Sequence, residues 1–354
     1  MNAAATPITI ELASPADIAR FGGRKVTLSL APADVTSSVE IDSYLPGYQP
    51  FGGFRGDEVA PTNPLVDKDF GTYRIYGSNN VFRRVRTQTS RTAPVGEVDP
   101  ETSLANYNAL PYGLGSFIPA ATENQSAYNL RQAAARVIAD KLALDRECRI
   151  WAYLTTLGNW ASAQVKTLGA GFNWNGGVNA NPVQDLQGMI RASAQPVTAI
   201  YMSLEAGHAL LNHDTTRDYL RAFYGDSPLG DALRNANGGQ PVDTSVEFLI
   251  PGLPVIKIAG AKVLNETTGL LDEIIGRTNV VGVSLPPFST REFDSIQTVR
   301  TLRTKGPSGT GWTSREYFVN HRGVDGGTML VAGYTEDVKF VANNAGFLLR
   351  SVLT

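Results

Sequence analysis

Three histidines, His208, His213 and His321, are the side chains best suited to moving protons near neutral pH or binding a metal. His208 and His213 lie five residues apart, whereas two ligands on one helical face need a spacing of about four. No HExxH accompanies them, and the single cysteine, Cys148, has no partner thiol with which to build a zinc site. No GxSxG elbow presents a nucleophilic serine. The glycine-rich stretches GLGS (113–116), GAGF (169–172) and KGPSGTG (305–311) resemble phosphate cradles only in composition. Such a loop needs a lysine and a hydroxyl after its last glycine, but Trp312 follows Gly311 and Lys305 precedes the glycines. The reading is surface or helix-end histidines and flexible turns, with no catalytic residue, no cofactor and no metal expected.

The distinctive chemistry is charge. The stretch YRIYGSNNVFRRVRTQTSRTAP (73–94) carries Arg74, Arg83, Arg84, Arg86 and Arg91, with no acid from Phe70 to Gly96, in a chain whose formal net charge is -2. Glu97, Asp99 and Glu101 follow at once, and no basic residue occurs between Arg91 and Arg131. Tyr73, Tyr76 and Phe82 interleave with the arginines, a pattern that also suits nucleic acid. A dedicated nucleic-acid binder, however, carries a basic excess large enough to tilt the total. Like charges along one strand repel and need partners from elsewhere. A positive block beside a negative tip suits docking against a second copy, where complementarity sets register and partner choice more than affinity.

These residues must be positioned by the elements around them. The alternation from Val81 to Ser90 predicts an extended strand within a two-stranded excursion from Thr72 to about Ile118, with the tip APVGEVDPETS. Such a hairpin has too few apolar side chains to stand alone. Before it, Pro7, Pro15, Pro32, Pro46, Pro50, Pro61 and Pro64 break residues 1–69 into an irregular arm. After it, more than thirty residues without proline or glycine predict a long amphipathic helix from near Thr122 to Gly158. Thr122 and Gln125 fit a capping box, and Leu130, Ala134, Val137, Ile138, Leu142, Cys148, Trp151 and Ala152 recur at helical spacing. Arg136/Asp140, Lys141/Asp145 and Asp145/Arg149 sit four apart on the polar side.

Asn181 and Pro182 read as the start of a second helix. Strands follow at TAIYMS (198–203), LPVIKIAG and NVVGVSLP, with helices around Leu204–Leu211 and Thr215–Tyr224, so that 183–285 reads as a small α/β unit. The end is mainly β: two strands around the glycine-rich turn 305–311, then three more joined at Thr335–Asp337 and Asn343–Gly346. The length, 354 residues, suits about two domains. A lone cysteine, no basic-then-apolar leader and no apolar run of membrane-spanning length predict a soluble intracellular chain.

This order of pieces resembles the major capsid proteins of tailed bacteriophages, the HK97-like fold. The resemblance is carried by the arginine-rich loop directly before the long helix, by IPGLPVIKIAG (250–260) and by SREYFVNHRGVDGGTMLVAGYTEDVKFV. It implies an α+β chain divided into an N-terminal arm (1–69), an extended loop (70–121), a peripheral domain with a spine helix (122–182), an axial domain (183–285), and peripheral strands with a C-terminal return into the axial domain (286–354). It implies a structural subunit that assembles with itself into hexamers and pentamers of an icosahedral shell. That shell is built in the host cytoplasm and encloses double-stranded DNA without reading its sequence. Scaffolding, portal and decoration proteins are the other partners it implies, with no membrane. Arg74, Arg83, Arg84, Arg86 and Arg91 become the loop's grip on a neighbouring subunit, with Glu97, Asp99 and Glu101 as candidate partners.

One departure is chemical. Some relatives cross-link their shells through a lysine of the extended loop, yet no lysine occurs here between Lys68 and Lys141. Burial and charge pairing are then expected to replace the covalent bond. The alternatives are an encapsulin-like nanocompartment shell of the same fold, or a soluble α/β hydrolase, against which the absence of catalytic motifs counts.

Overall fold

The computed structural model describes residues 53–62, 64–75, 103–224, 247–285, 297–307, 309–322 and 325–354. The runs AIYM, VIKI, VVGV and GFLLR are too short for a stable helix and become β5 (Ala199–Met202), β7 (Val255–Ile258), β10 (Val280–Val283) and β14 (Gly346–Arg350). With β4 (Val165–Thr167) and β6 (Glu247–Phe248) at the edges, they form a six-stranded sheet in the order β4-β14-β10-β5-β7-β6. Side chains alternate between two cores, as the period of two requires. Ile200, Met202, Phe347 and Leu349 enter one core, beneath Leu186 of α4 (Pro182–Ala192), Leu210 of α5 (Leu204–Asn212) and Leu220 of α6 (Asp214–Tyr224). Tyr201, Val281, Val283 and Leu348 enter the other. Gly282 pairs with Phe347, and a Cβ at Gly282 would lie 2.2 Å from that ring, so the ring needs a glycine there. The strands and helices expected between 181 and 285 are all present, including the Asn181 cap, whose side chain accepts from the Gln184 N–H at 3.1 Å.

The long helix departs from its expected start. Residues Ala120–Gln125 form a separate short helix, α2, and the spine proper, α3, runs Leu130–Thr155. The Ser126 hydroxyl donates to the Tyr128 carbonyl at 2.8 Å, a local bond that competes with helical continuation. Asn129, not Thr122, is the cap of the spine, accepting from the Gln132 N–H at 3.1 Å. The buried stripe also differs. Ala135, Ile138, Ala139 and Leu142 pack on one sheet, and Ile150, Trp151 and Leu154 on the six-stranded sheet. Val137 is 58% exposed and Ala152 is exposed too, because α3 bridges two supports and its apolar face turns between them.

The second support is a four-stranded sheet built around β13 (Gly327–Phe340). The expected turn at Thr335–Asp337 does not form. These polar residues lie in mid-strand, paired to β3 (Leu110–Pro119) and β11 (Val299–Arg303), and Glu336 is only 1% exposed. Nor do the strands flanking the glycine-rich stretch pair with each other. Glu336 pairs with Leu110 on one edge and Arg303 on the other, while Gly327–Gly333 pair with both β3 and β12 (Thr313–Val319). β11 and β12 therefore lie end to end along the edge of β13 opposite β3, and after β11 the Thr304 N–H still donates to the Thr335 carbonyl at 2.9 Å. The turn expected at Asn343–Gly346 does join β13 to β14.

Candidate intersubunit interface

Strands β1 (Phe70–Ile75) and β2 (Ser103–Asn108) form a two-stranded antiparallel ribbon, in register from Phe70↔Asn108 to Ile75↔Ser103. Alternation gives it two unlike faces. The inner face seats Tyr107 against Val66, Leu302 and Tyr73, and the Tyr107 hydroxyl donates to the Lys68 carbonyl at 3.1 Å. Gly71 lies under that ring, where a Cβ would approach it to 2.9 Å. The outer face presents Phe70, 72% exposed, and Leu104, 66% exposed, with Arg74 directly across from Leu104. A groove of about 650 Å³ lies beneath, lined by Val66, Tyr73, Arg74, Tyr107, Leu302 and Lys339. Burial, then Tyr153 and Asp337, push the Tyr73 phenol up to about 12, so it stays a neutral hydrogen-bonding group. The ribbon is tied at its root: Asn108 N–H donates to Asp337 Oδ2 at 2.9 Å, and Ala109 N–H to the Asp69 carbonyl at 2.7 Å. Lys305 donates to Asp67 Oδ1 at 2.6 Å and holds that carboxyl below its usual range.

The segment before the ribbon is clipped to the spine through two consecutive residues of α3. Glu147 accepts from the Arg55 N–H (2.8 Å) and the Gly56 N–H (2.7 Å) at the start of the short helix α1 (Gly56–Val59), and from Trp151 Nε1 (2.7 Å). Burial outweighs these bonds and raises the Glu147 carboxyl above its ordinary value. Arg146 donates to Asp57, to the Ala60 carbonyl (3.0 Å), to Thr301 Oγ1 (3.2 Å) and to Glu336 Oε2 (3.2 Å). Glu336 also takes Arg303 Nη2 at 2.7 Å and pairs with Arg149 Nη2 at 3.1 Å. Burial alone would raise Glu336, but Arg146 and Arg303 outweigh it and hold the carboxyl low. Arg149 stacks 3.5 Å over the Tyr112 ring, pairs with Asp145 at 2.9 Å and donates to the Tyr334 hydroxyl at 2.9 Å. One buried charge cluster thus joins the incoming segment, the spine, β11 and β13.

Of the residues singled out from the sequence, Arg74 lies on the exposed face of the ribbon. Arg83, Arg84, Arg86, Arg91, Glu97, Asp99 and Glu101 fall outside the described residues, as does the alternating stretch from Val81 to Ser90. The cluster around Glu336 went unread. Its signal was Arg146 occupying the register of Leu142, Ile150 and Leu154, where a charge facing inward must meet a countercharge.

No protein-family model and no curated protein sequence matches the chain. Solved structures do. A phage-related protein from Bordetella bronchiseptica RB50 superposes with a TM-score of 0.64 at 12% identity, over 90% of this chain and 98% of that one. This chain shares that fold. The capsid of a native GTA particle gives a TM-score of 0.52 at 14% identity, over 86% of this chain and 91% of that one. A protein described as the capsid protein of a prophage of Escherichia coli CFT073 gives 0.50 at 9% identity, over 89% and 99%. The shared architecture is mixed α and β, spans nearly the whole chain and includes proteins of assembled shells.

Proposed function

We propose that the chain is a structural subunit of a bacteriophage capsid, assembling with copies of itself into hexamers and pentamers of an icosahedral shell around double-stranded DNA. The observation that carries this reading is the ribbon β1–β2. It is a two-stranded element with an apolar and basic outer face and a 650 Å³ groove below it, in a fold shared with shell proteins. A monomer gains nothing from holding Phe70 and Leu104 in water, whereas an interface buries them. On this reading the function is structural and not enzymatic. Residues 1–69 act as the arm and 70–121 as the extended loop. Residues 122–182 and the strands of 286–354 make the peripheral domain, and 183–285 the axial domain.

The arginines act by charge. Arg74, Arg83, Arg84, Arg86 and Arg91 grip a neighbouring subunit, with Glu97, Asp99 and Glu101 among their partners. The chain expressed alone is expected to give closed shells, or rings of five and six, in sedimentation and negative-stain electron microscopy. A persistent monomer overturns the reading. Replacing Arg83, Arg84 and Arg86 together by glutamate is expected to abolish shells while leaving the melting temperature within a few degrees of the parent. Normal shells from that variant would remove the arginines from the interface.

A further inference from the structure

Strand β3, LPYGLGSFIP, has no charged residue and, among the described residues, pairs with β13 along one edge only. The direction of its backbone groups follows from its ends. Asn108 N–H reaches Asp337 of β13 and Ala120 N–H reaches the Gly326 carbonyl at 3.1 Å, so even-numbered amides face β13. Ala109 N–H points the other way, to Asp69. Odd-numbered residues therefore turn their amides to the open edge: Pro111, Gly113, Gly115, Phe117 and Pro119. The two prolines have no N–H to offer. They frame a window in which Gly113, Gly115 and Phe117 present N–H and C=O groups that have no partner among the described residues. Natural edge strands are guarded by charge, by bulges or by covering elements. β12, on the far side of β13, carries Arg315 and Glu316, whereas β3 carries neither.

We infer that the open edge of β3 is a strand-docking site that receives an extended segment of a second copy of this chain. Main-chain bonds to Gly113, Gly115 and Phe117 give the attachment. Leu110, 52% exposed, and Leu114, 42% exposed, flank Tyr112 on the α3 side of the sheet and add apolar surface beside that edge. The multi-copy shells that share the fold, and the absence of charge along the edge, commit the occupant to another copy rather than to an unrelated peptide. The inference rests on the self-assembly reading above.

The test uses the full chain. A Cβ at Gly113 meets its nearest neighbour, the Ala332 carbonyl oxygen, at an ordinary 3.5 Å, and Gly113 has no positive φ, so an alanine fits there. Gly113→Ala keeps the outward N–H and is expected to assemble as the parent does. Gly113→Pro removes that N–H without touching the bonds to β13, and is expected to remain folded by circular dichroism yet sediment as unassembled subunits. Hydrogen exchange on the parent chain needs no variant and covers the case in which Gly113→Pro does not fold. Amides in 113–117 should exchange at least ten times more slowly in shells than in dissociated subunits. Shells whose 113–117 amides exchange as fast as those of free subunits, or a Gly113→Pro variant that assembles at the parent's concentration, overturn strand docking and leave the capsid reading standing. A parent chain that never assembles overturns both.

Discussion

Strands β10 and β3 are both free of charge, yet they meet opposite surroundings. β10, VVGV, is buried on both faces and paired on both edges, by β5 and β14. β3 is ten residues long, packs one face on α3 in part, leaves two leucines exposed, and has one edge without a strand partner among the described residues. Uncharged strand sequence therefore carries two meanings in one chain. In the six-stranded sheet it marks a core completed within the subunit, and in the four-stranded sheet it marks an edge with no strand partner among the described residues. The difference lies in the number of partners available, not in the strands themselves.

Substitutions can break or sharpen that contrast. Phe347→Ala removes a fully buried ring above Gly282 and should cost about 3–5 kcal/mol in denaturant unfolding; a loss no larger than that of a surface change would mean the core is looser than its packing implies. Glu336→Gln, at the closed end of the four-stranded sheet, leaves Arg303 buried without its countercharge and Arg146 with only the exposed Asp57, and about 3 kcal/mol should be lost. Because the folded-state carboxyl is held below its ordinary value of 4.5, its stabilisation is fully present above that pH and is lost as pH falls through the lower folded value. The gap in stability between parent and Glu336→Gln should accordingly narrow only in acid. A gap that stays constant down to the acid transition would assign Glu336 a packing role alone. Leu104→Ser on the outer face of the ribbon should change subunit stability by less than about 0.5 kcal/mol, while shells become fewer. A large loss of subunit stability would show that the ribbon's outer face is covered within one chain.

The same contrast separates what the sequence pattern dictates from what long-range pairing decides. The central strands and the helices of 181–285 were legible because short apolar runs between glycine, asparagine and proline have one solution when both faces are covered, whereas β6 and the short ribbon of Lys262–Leu264 with Leu271–Glu273 contain no such run and went unread. The spine was legible as a helix but not in its ends: the Ser126 and Asn129 side chains settle the start, and two separate supports turn its buried stripe. Around β13 the reading failed at Thr335–Asp337, where polar residues mimic a turn. Glu336 is in fact paired with arginines brought from 146, 149 and 303, a long-range arrangement that no local window contains. The glycine-rich stretch 304–312 failed for a related reason, since its flanking strands use a third strand as their common partner. The ribbon was legible as a two-stranded excursion beginning at Thr72, but the alternation read for it, Val81–Ser90, falls outside the described residues, and the alternation that buries Tyr73 and Tyr107 went unread.

The pairing of β3 with β13 also sets a timetable. Pro119 faces Gly327 across that ladder, so roughly 200 residues separate the partners, and at about 5–20 residues per second the ribosome needs about 10–40 s to supply the second after the first. Through that interval the nascent chain carries the apolar side of α3, and a strand with no charge to keep others away, with neither edge of β3 yet occupied. Newly made subunits crowded on one message would meet each other in that state. The order of synthesis thus opens growing chains to early encounters, and a chaperone that shields residues 110–154 during elongation would raise the yield of correctly paired protein.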